Sequence, residues 1–372
     1  MAVTSKAALA VPGEEGFRIA DIVVDEPREH EVLVRVVAVG LCHTDTLYKQ
    51  VWEEPSLPPL VLGHEGAGVV ERVGSQVTSV KPGDRVLMTF DSCGQCVSCL
   101  TGHPAYCARF GDLNTGPALG RTTGGAPRLS TLDGKPLVGG FFGQSSLAGH
   151  ALANDRNVIP VEADSDDELA LLAPLGCGFQ TGAGAVLNQL PPAPGATVAI
   201  FGTGAVGFGA LLAARLTAAA RIVVVDIVPG RLALARELGA THTVNSAETG
   251  PVQALGDITS GGVQVAVDTT GVPEVQAQAV QSLAPRGRLG LIGLRLGAHF
   301  SVPITSLLPG VSVQGVIEGD SDIVTFLPAL VELVRQGRLP LEKLVREYPL
   351  DEIDRAISDS SSGSVVKPVI RL

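Results

Sequence analysis

The chain has 372 residues, of which 45% are hydrophobic and 17% are charged, and its formal net charge is -11. This length is enough for two domains, and this hydrophobic content excludes a disordered chain. The acidic balance argues against a nucleic-acid-binding surface, because a phosphate backbone selects clustered lysine and arginine.

The first 150 residues are predicted to form a β-rich region with many tight turns. The segments HEVLVRVVAVGLC, GAGVVERVGSQV and PGDRVLM alternate or run apolar as strands do, and glycine and proline residues separate them at 73–75 and 81–84. The polar, glycine-rich stretch at 111–140 is expected to be a long loop with one short hairpin. These features predict a compact β domain with few helices.

From about residue 164 the pattern changes to alternating strands and helices. A helical spacing in SDDELALLAPL precedes strands at TVAIFG, RIVVVD, QVAVDTTG and GRLGLIG, with helices between them at AVGFGALLAARLTA, VPGRLALARELGA and PEVQAQAVQSLAP. Continuous apolar strands that alternate with helices indicate a doubly wound parallel sheet covered on both faces, so an α/β fold is predicted. The last 60 residues are predicted to hold one helix, FLPALVELVRQGRL, and a final strand, KPVIRL.

No targeting or membrane segment is expected. The opening segment has too short an apolar run for a secretion signal, and acidic residues follow at once. The longest apolar stretch, at 205–225, is interrupted by Arg215 and Arg221, which predicts a buried helix and strand rather than a membrane span. A cytoplasmic protein is therefore expected, and in that compartment the six cysteines are predicted to be metal ligands or buried thiols.

A glycine-rich turn follows the strand TVAIF and opens the next helix. Its residues are Gly202, Thr203, Gly204, Ala205, Val206 and Gly207, and an acid, Asp226, ends the next strand about 20 residues later. This spacing is typical of dinucleotide binding, where Gly202 allows the tight turn, Gly204 admits the pyrophosphate and Gly207 lets helix and strand pack closely. Asp226 can accept hydrogen bonds from the adenosine ribose, and its charge would repel a 2'-phosphate, which favours NAD over NADP.

Alternatives stay open for this region. The turn could be a glycine turn that binds nothing, although strand, helix and acid are all in place. Arg231, which follows Asp226 on the next helix, either touches the edge of the ribose or is a solvated helix charge.

Four of the cysteines lie in one short segment. Cys93, Cys96 and Cys99 are spaced three residues apart, and Cys107 follows them. Four thiolates at this spacing suit a closed tetrahedral zinc site, which would hold the loop rather than take part in chemistry because no coordination position is open. Disulfides are the alternative, but three cysteines so close together would pair in strained or ambiguous ways.

The other two cysteines stand apart. Cys42 ends a predicted strand in GLCHTD, Cys177 lies in PLGCGFQTG, and His64 lies between them in GHEG. Each alone could be a buried thiol or an ordinary loop histidine. Together they form a set of two cysteines and one histidine that leaves one position free, which is the pattern of the catalytic zinc in alcohol dehydrogenase and is recognised here by that likeness.

The motifs follow one another as they do in one known family. GHEGAGVVERVG, the four-cysteine loop, PLGCGFQTGAGAV and FGTGAVG match in order, and the sequence is identified as a member of the zinc-dependent medium-chain alcohol dehydrogenases. FDSCGQCVSC, PLGCGFQTGAGAVLN and TGVPEV are most similar to the bacterial benzyl- or aryl-alcohol dehydrogenase branch. The resemblance implies a GroES-like β-barrel catalytic domain over 1–178, completed by 319–372, and a Rossmann NAD-binding domain over 179–318. It also implies a homodimer or homotetramer.

The resemblance assigns the catalytic zinc to Cys42, His64 and Cys177, with Glu65 beside the metal as a transient ligand. Alcohol or water takes the fourth position. Asp45 matches the carboxylate that orients the zinc histidine in this family, although the same residue could cap the helix that begins here. The resemblance implies that each chain binds NAD and two zinc ions, one catalytic and one structural.

The activity that the resemblance implies is NAD-dependent oxidation of primary alcohols, aromatic (benzyl-type) or allylic, to aldehydes. Zinc lowers the pKa of the alcohol, and the alkoxide carbon passes a hydride to the nicotinamide. The alternative is the same chemistry on terpenoid alcohols of the geraniol or perillyl type, on aliphatic alcohols or on a thiol-formaldehyde adduct. A regulatory protein that kept the fold without turnover would show a lost zinc ligand or a broken glycine motif, and neither is seen.

A proton relay is implied only in part. Thr44 matches the family hydroxyl that accepts the substrate proton, which suits a group able both to accept and to donate, although it could be a simple turn hydroxyl. In the liver-type enzymes a histidine five residues after the zinc cysteine ends this relay, and here that position is Leu47. The proton must then leave by water or another group, and no general base is assigned.

Further residues are assigned to the cofactor by the same resemblance. His43 and Lys367 match basic contacts to the cofactor phosphates, and either could instead be an ordinary surface charge. Thr181 would pack against the nicotinamide. Gly293 and Leu294 would offer backbone groups to its carboxamide.

The substrate pocket is predicted from two aromatic residues. Trp52 and Phe90 fall in segments that line the pocket in this family, and an aromatic, largely apolar cleft suits benzyl or terpenoid alcohols. Both residues could instead belong to the core. The expected partner is a small alcohol or aldehyde, and neither nucleic acid nor a membrane is expected.

Overall fold

The structure is a computed structural model that describes residues 1–116 and 128–372. Residues 117–127, which fall in the predicted loop at 111–140, lie outside the described residues. Two compact units form: Met1–Cys177 together with Asp322–Leu372, and Gly178–Ser321. The first unit is therefore built from two separate stretches of the chain.

The strands of the described residues are given in chain order. They are β1 Val3–Ala10, β2 Phe17–Val24, β3 Glu31–Gly40, β4 Leu60–Val61, β5 Gly66–Val73, β6 Arg85–Met88, β7 Leu129–Thr131, β8 Pro136–Leu137, β9 His150–Asn154, β10 Val158–Pro160, β11 Thr197–Phe201, β12 Arg221–Asp226, β13 His242–Asn245, β14 Val263–Asp268, β15 Leu283–Leu291, β16 Ser312–Gly315, β17 Val345–Pro349 and β18 Lys367–Arg371.

The α-helices of the same residues are α1 His43–Val51, α2 Val97–Leu100, α3 Asp166–Leu172, α4 Gly178–Gly184, α5 Ala205–Ala214, α6 Pro229–Glu237, α7 Pro251–Thr259, α8 Pro273–Gln281, α9 Ile323–Arg335 and α10 Ile353–Ser361. Short 3-10 turns cover Pro104–Tyr106, Phe141–Gly143, Ala173–Gly176, Ile304–Ser306, Glu318–Asp320, Leu341–Lys343 and Leu350–Glu352, and π-helical turns cover Gly111–Thr115 and Ala185–Gln189. No single helix of the described chain is long and apolar enough to cross a membrane. The helical segments Asp166–Gly176 and Gly178–Gln189 reach that length and apolar content only when they are counted together as a bent pair.

Two sheets form the β-rich part of the first unit within the described residues. One has the strand order β4-β1-β2-β7-β8, and the other has the order β10-β6-β5-β3-β18-β17, with β9 also paired to β3. The pairs are antiparallel except for β17 with β18. The returning segment thus supplies β18, which completes the second sheet beside β3.

Strand β3 explains how an unbroken apolar run becomes buried. Successive side chains of a strand point to opposite faces. Val32 and Val34 pack in a core with residues of β5 and β6, whereas Leu33 packs in a second core with residues of β1 and β2. Because both faces of β3 are covered, its sequence reads as a nearly continuous hydrophobic run.

Backbone hydrogen bonds join the two sheets through residues 147–149. The N–H of Ala8 on β1 donates to Leu147 O at 2.9 Å, and the N–H of Val36 on β3 donates to Gly149 O at 3.0 Å. The joined sheets give the first unit the barrel-like form expected of a GroES-like domain, so this part of the fold prediction is confirmed.

The second unit contains one parallel sheet in its described residues, with the strand order β13-β12-β11-β14-β15-β16. All residues of β11 are buried, and α5 is buried from Gly207 to Ala214, as expected for a sheet covered by helices. The predicted doubly wound sheet and the α/β class are confirmed. The chain passes from β11 to β12 on one side and later to β14 on the other, which leaves a crevice at the carboxyl edge after β11.

The end of the chain holds more regular structure than the sequence predicts. Helix α9 corresponds to the expected helix, but α10 and β17 are not predicted. Helix α10 is mostly polar and contributes only Ile353 and Ala356 to the buried interior, so its apolar signal is weak. The expectation of one helix in the last 60 residues is therefore wrong.

Candidate metal centres and dinucleotide site

The structure brings the predicted catalytic zinc ligands into one cluster. One ligand atom each of Cys42, His64, Glu65 and Cys177 lies within 4.8 Å of the others. Cys42 immediately precedes α1, His64 and Glu65 lie between β4 and β5, and Cys177 follows the turn Ala173–Gly176. His64 and Glu65 are fully buried. Three separate segments thus meet at one buried point.

The backbone before His64 requires a glycine. Gly63 has a φ of +93°, which L side chains rarely adopt, and a Cβ there would lie 2.3 Å from the backbone nitrogen of Leu147. The turn that leads into His64 therefore depends on Gly63.

Asp45 connects the cysteine and histidine segments. Its Oδ1 accepts hydrogen bonds from His64 Nδ1 and Gly63 N, both at 3.0 Å, and its Oδ2 accepts one from Cys42 N at 3.0 Å. Both alternatives for Asp45 are therefore present, because one oxygen orients the imidazole and the other caps the first turn of α1. With Nδ1 donating to Asp45, the lone pair of the imidazole lies on Nε2.

The donor set fits a zinc ion. Nε2 of His64 is buried and has no hydrogen-bond partner in the described chain, and such an atom is costly unless something else binds it. A hydrogen bond with Cys177 lowers the pKa of Cys42 well below its usual range, although burial opposes this, and the thiolate is the form that binds metal. Two sulfurs and one imidazole nitrogen are ligands that zinc prefers.

Lys367 has different partners from those predicted. It is 2% exposed, and its Nζ donates to Leu41 O at 2.8 Å and Glu65 Oε1 at 2.7 Å and lies 2.6 Å from Glu65 Oε2. The alternative of an ordinary surface charge is therefore wrong. Its ammonium group is thus held by Leu41 and Glu65, and a contact to a cofactor phosphate stays a prediction. Burial raises the pKa of Glu65 to about 7, and Lys367 opposes that rise.

Two aromatic rings, which are not among the predicted site residues, lie beside His64. The imidazole lies 4.6 Å from the ring of Phe142 and 5.5 Å from that of Phe141, which in turn contacts Tyr48 at 5.2 Å. Phe142 has a φ of 50°, which is rare for a bulky residue and marks a constrained position. The double phenylalanine between glycines in GGFFG is the sequence signal that points to this position.

The two predicted pocket residues lie in the interior of the first unit. Phe90 is fully buried and its ring lies 5.8 Å from Phe110, which contacts Phe142. Trp52 is 3% exposed, and its Nε1 donates to Pro58 O at 2.9 Å. Phe90 thus belongs to the same aromatic group as Phe142, and Trp52 anchors the loop before β4. Their pocket role stays a prediction.

A buried amide that the sequence gives no reason to select supports the histidine segment. Gln144 Nε2 donates to His64 O at 2.9 Å and Thr89 O at 3.0 Å, and its Oε1 accepts from Gly66 N at 3.1 Å. Gln144 therefore fixes the backbone on both sides of Glu65.

The other four cysteines form a second cluster whose sulfurs lie within 4.8 Å of one another. Cys99 Sγ lies 3.5 Å from Cys96 Sγ and 3.9 Å from Cys93 Sγ. Backbone N–H groups point at the sulfurs, from Cys96 to Cys93 Sγ and from Arg109 to Cys107 Sγ, both at 3.3 Å. All six cysteines lie in the described residues and none of them forms a disulfide there, so the disulfide alternative is not observed. Four sulfurs in this arrangement fit a closed zinc site.

The glycine-rich turn between β11 and α5 has the shape that a pyrophosphate needs. Gly202 has a φ of +95°, and a Cβ on Gly207 would lie 2.0 Å from Gly202 O, so neither position accepts a side chain. A Cβ on Gly204 would meet nothing within 4 Å, which leaves open space beside the turn. Helix α5 begins at Ala205, and its first N–H groups have no partner within the helix. The residues present therefore fit a dinucleotide phosphate.

Asp226 ends β12 and holds the glycine turn. Its Oδ2 accepts hydrogen bonds from the backbone N–H of Thr203 at 2.7 Å and from the Thr203 hydroxyl, and its Oδ1 accepts from Ile227 N and Val228 N at 2.7 and 2.9 Å. The hydroxyls of a bound ribose would either share the Asp226 oxygens with these backbone and hydroxyl donors or replace some of these hydrogen bonds. Burial lowers the pKa of Arg231 and Asp226 opposes that shift, so the guanidinium is partly buried within electrostatic reach of the acid.

The remaining predicted residues are placed as follows. His43 is exposed at the start of α1, and Leu47 is half-buried on the same helix. Thr44 lies beside the metal cluster, with its Oγ1 3.5 Å from Cys42 Sγ.

In the second unit, the predicted nicotinamide contacts lie on α4 and after β15. Thr181 is 5% exposed, and its Oγ1 donates to Glu318 Oε2 at 3.3 Å. Gly293 N donates to Asp268 O at 3.2 Å, and Leu294 is 60% exposed. Sequence reasoning does not single out Glu318 or Asp268.

Two family matches cover more than half of the chain. Residues 28–162 match the alcohol dehydrogenase GroES-like domain, and residues 205–333 match the zinc-binding dehydrogenase family. The first match falls in the unit that carries both cysteine clusters, and the second includes most of the parallel sheet.

Similar proteins agree with these matches. A geraniol dehydrogenase of Castellaniella defragrans is 42% identical over 353 residues, which are 93% of this chain and 92% of that protein. An alcohol dehydrogenase zinc-binding domain protein from Burkholderia ambifaria has a TM-score of 0.95 at 47% identity over 100% of both chains. Benzyl alcohol dehydrogenase from Acinetobacter calcoaceticus has a TM-score of 0.93 at 40% identity over 100% of this chain and 99% of that one. The resemblance is confirmed, and the chain belongs to the zinc-dependent medium-chain alcohol dehydrogenase family.

Proposed function

We propose that this protein oxidises primary alcohols of aromatic or allylic type to aldehydes, with NAD as the hydride acceptor. The observation that carries the proposal is the buried cluster of Cys42, His64 and Cys177, in which Asp45 holds the imidazole. Family membership supplies the more general activity, zinc- and NAD(P)-dependent oxidation of an alcohol. The choice of NAD, the alcohol class, the zinc count and the residue roles belong to the proposal.

The catalytic zinc would be held by Cys42, His64 and Cys177, with Glu65 as a transient ligand. When bound, zinc is a Lewis acid that lowers the pKa of an alcohol. Thr44 lies beside Cys42 and can accept the alcohol proton because a hydroxyl both accepts and donates. The apolar Leu47 cannot pass that proton on, so the proton would leave by water or another group.

When bound, NAD⁺ would accept the hydride that leaves the carbinol carbon with the C–H bonding pair, and the O–H proton would be released as the carbonyl forms, so that the two electrons end on NADH. The turn at 202–207 would hold the pyrophosphate, Asp226 the adenosine ribose and Arg231 its edge, with His43 as a phosphate contact.

The alcohol class is supported by two kinds of observation. The aromatic rings of Phe141 and Phe142 lie beside His64 and Tyr48 contacts Phe141, and aromatic side chains suit a planar or unsaturated substrate. Two similar proteins are a benzyl alcohol dehydrogenase and a geraniol dehydrogenase, and geraniol is an allylic alcohol. Terpenoid alcohols, aliphatic alcohols and a thiol-formaldehyde adduct remain the alternative substrates.

A substrate panel tests the function. We expect kcat/KM with NAD to be at least about tenfold higher for benzyl alcohol or geraniol than for ethanol, because burial of each additional carbon favours binding. Hydroxymethyl thiols complete the panel. A wide margin in favour of ethanol or of the thiol adduct would reject the aromatic or allylic class, and no turnover of any alcohol by the metal-loaded protein would reject the activity.

Coenzyme choice is assigned to Asp226. Replacing Asp226 with serine removes the charge that would repel a 2'-phosphate. We expect the ratio of kcat/KM for NAD to that for NADP to fall by about 100-fold, which corresponds to roughly 2.8 kcal/mol. The control is Asp257→Ser, because Asp257 is an exposed acid of the same unit. Unchanged selectivity in a folded Asp226→Ser protein would reject this role.

Cys93, Cys96, Cys99 and Cys107 would hold a second, structural zinc, which makes two zinc ions per chain. The catalytic domain would then be 1–178 completed by 319–372, and the NAD-binding domain 179–318. The division of the chain at Cys177/Gly178 and Ser321/Asp322 supports these limits.

A homodimer or homotetramer is proposed to form through the NAD-binding domain. Strand β16 is an edge strand of the parallel sheet, and Leu294, Ile304 and Leu308 nearby in the chain are 60%, 75% and 75% exposed. An open edge and exposed apolar side chains favour association. Light scattering at micromolar concentration should give a mass of two or four chains, and replacing Ile304 with aspartate should lower it. A monomeric wild-type protein would contradict this proposal.

A further inference from the structure

The second unit buries a carboxylate to which the sequence assigns no role. Glu318 is 7% exposed, and its Oε2 accepts hydrogen bonds from Gln180 Nε2 at 3.2 Å and Thr181 Oγ1 at 3.3 Å. Gln180 and Thr181 are themselves 0% and 5% exposed. Acidic side chains are seldom buried in this way, because removing a charge from water is costly.

The backbone holds this carboxylate in place. Glu318, Gly319 and Asp320 have φ values of 47°, 67° and 49°, a conformation that is unfavourable for residues other than glycine. A Cβ on Gly184 would lie only 2.2 Å from Gly319 O, so the segment is packed closely against α4. Glu318 therefore stays against α4.

Strand order puts Glu318 on the nicotinamide side of the sheet. The strands of a parallel sheet present their carboxyl ends at one edge, and Asp226 follows β12 while the turn at 202–207 follows β11. A dinucleotide with its adenosine ribose at Asp226 and its pyrophosphate at this turn continues along the edge toward β14, β15 and β16. Glu318 lies three residues after the end of β16. Its partner Thr181 is the residue proposed to pack against the nicotinamide.

We infer that the charge of Glu318 strengthens the binding of NAD⁺ relative to that of NADH, an inference that rests on the proposed function. The oxidised nicotinamide ring carries a positive charge and the reduced ring is neutral. A buried carboxylate attracts the first electrostatically and has no such attraction for the second. Contacts to the adenosine, ribose and phosphates are common to both forms and cancel in the ratio of the two dissociation constants.

The hydrogen bonds of Glu318 agree with an ionised carboxylate. An ionised carboxylate only accepts hydrogen bonds, and Gln180 Nε2 and Thr181 Oγ1 are both available as donors. The charge of Glu318 therefore acts on the binding of NAD⁺ and leaves the binding of NADH largely unchanged.

The test compares the dissociation constants of NAD⁺ and NADH for the full-length protein by calorimetry, with NADH fluorescence as a second measurement. Glu318→Gln keeps the size of the side chain and removes its charge. We expect Kd(NAD⁺)/Kd(NADH) to rise about tenfold, equivalent to about 1.4 kcal/mol. Glu248→Gln makes the same chemical change at an exposed position of the same unit and should leave the ratio unchanged.

Two further variants separate the charge from other effects. Glu318→Gly removes the charge and suits the positive φ, so it should fold and show the same rise even if the glutamine variant does not fold. Thr181→Val removes the hydroxyl but keeps the charge, and should change both constants by the same factor. Equal changes of both constants in the Glu318 variants, or no change, would overturn the inference, as would a shift in Thr181→Val as large as that in Glu318→Gln. Failure of the wild-type protein to bind either form would reject the proposed function instead.

Discussion

Replacing Cys42 with serine should abolish alcohol oxidation and leave the fold in place. A serine oxygen is a much weaker zinc ligand than a thiolate, so the cluster of Cys42, His64 and Cys177 should lose its metal. Lewis-acid activation contributes several kcal/mol, and its loss should lower kcat/KM on the order of 10³-fold. The fold should tolerate the change because residue 42 is the N-cap of α1, where serine is favoured.

Three measurements on the Cys42→Ser protein check this expectation. Metal analysis should fall from two zinc ions per chain to one, the kcat/KM for benzyl alcohol should fall as stated, and the melting temperature should change little. Cys93→Ser is the matched control, because it makes the same chemical change in the other cysteine cluster. A Cys42→Ser protein that keeps both metal ions and most of its turnover would show that the catalytic zinc lies elsewhere.

The parts of the fold that the sequence predicts are those with strong local patterns. Strand β11, the turn at 202–207 and helix α5 are visible because a buried strand, a glycine turn and a buried helix follow one another directly. Strand β3 is equally clear, since both of its faces are covered. Helix α10 is missed because it is short and mostly polar and buries only Ile353 and Ala356.

In the candidate site, too, only the local features can be predicted from the sequence. Its ligand types and spacings are local, so Cys93, Cys96, Cys99 and Cys107 can be grouped from the sequence. The partners of the site residues are distant in the chain: Glu65 and Lys367 are 302 residues apart, and Thr181 and Glu318 are 137 apart. No local periodicity encodes such pairs, because they depend on how separate strands and helices pack.

Replacing Cys93 with serine should cost stability rather than catalysis. Backbone N–H groups of Gln95 and Cys96 donate to Cys93 Sγ at 3.5 and 3.3 Å, and a metal held by all four sulfurs would cross-link the segment from Cys93 to Cys107. Without that metal, the segment regains the freedom of a loop, and folding loses the free energy of metal binding. We expect a loss of roughly 3 kcal/mol, a size typical of a lost metal or network, and a fall in melting temperature of roughly 6–12 °C.

The comparison between the two serine variants decides whether the clusters have separate roles. At a temperature where both proteins are folded, Cys93→Ser should keep kcat within about threefold of wild type, because the two clusters share no residue and independent sites contribute almost additively. Cys42→Ser should be inactive at nearly unchanged melting temperature. If both variants lost activity equally, or both lost stability equally, one cluster could not be structural and the other catalytic. Zinc analysis of the two purified proteins would then show which cluster had lost its metal, since each variant should retain the ion of the cluster that it leaves unaltered.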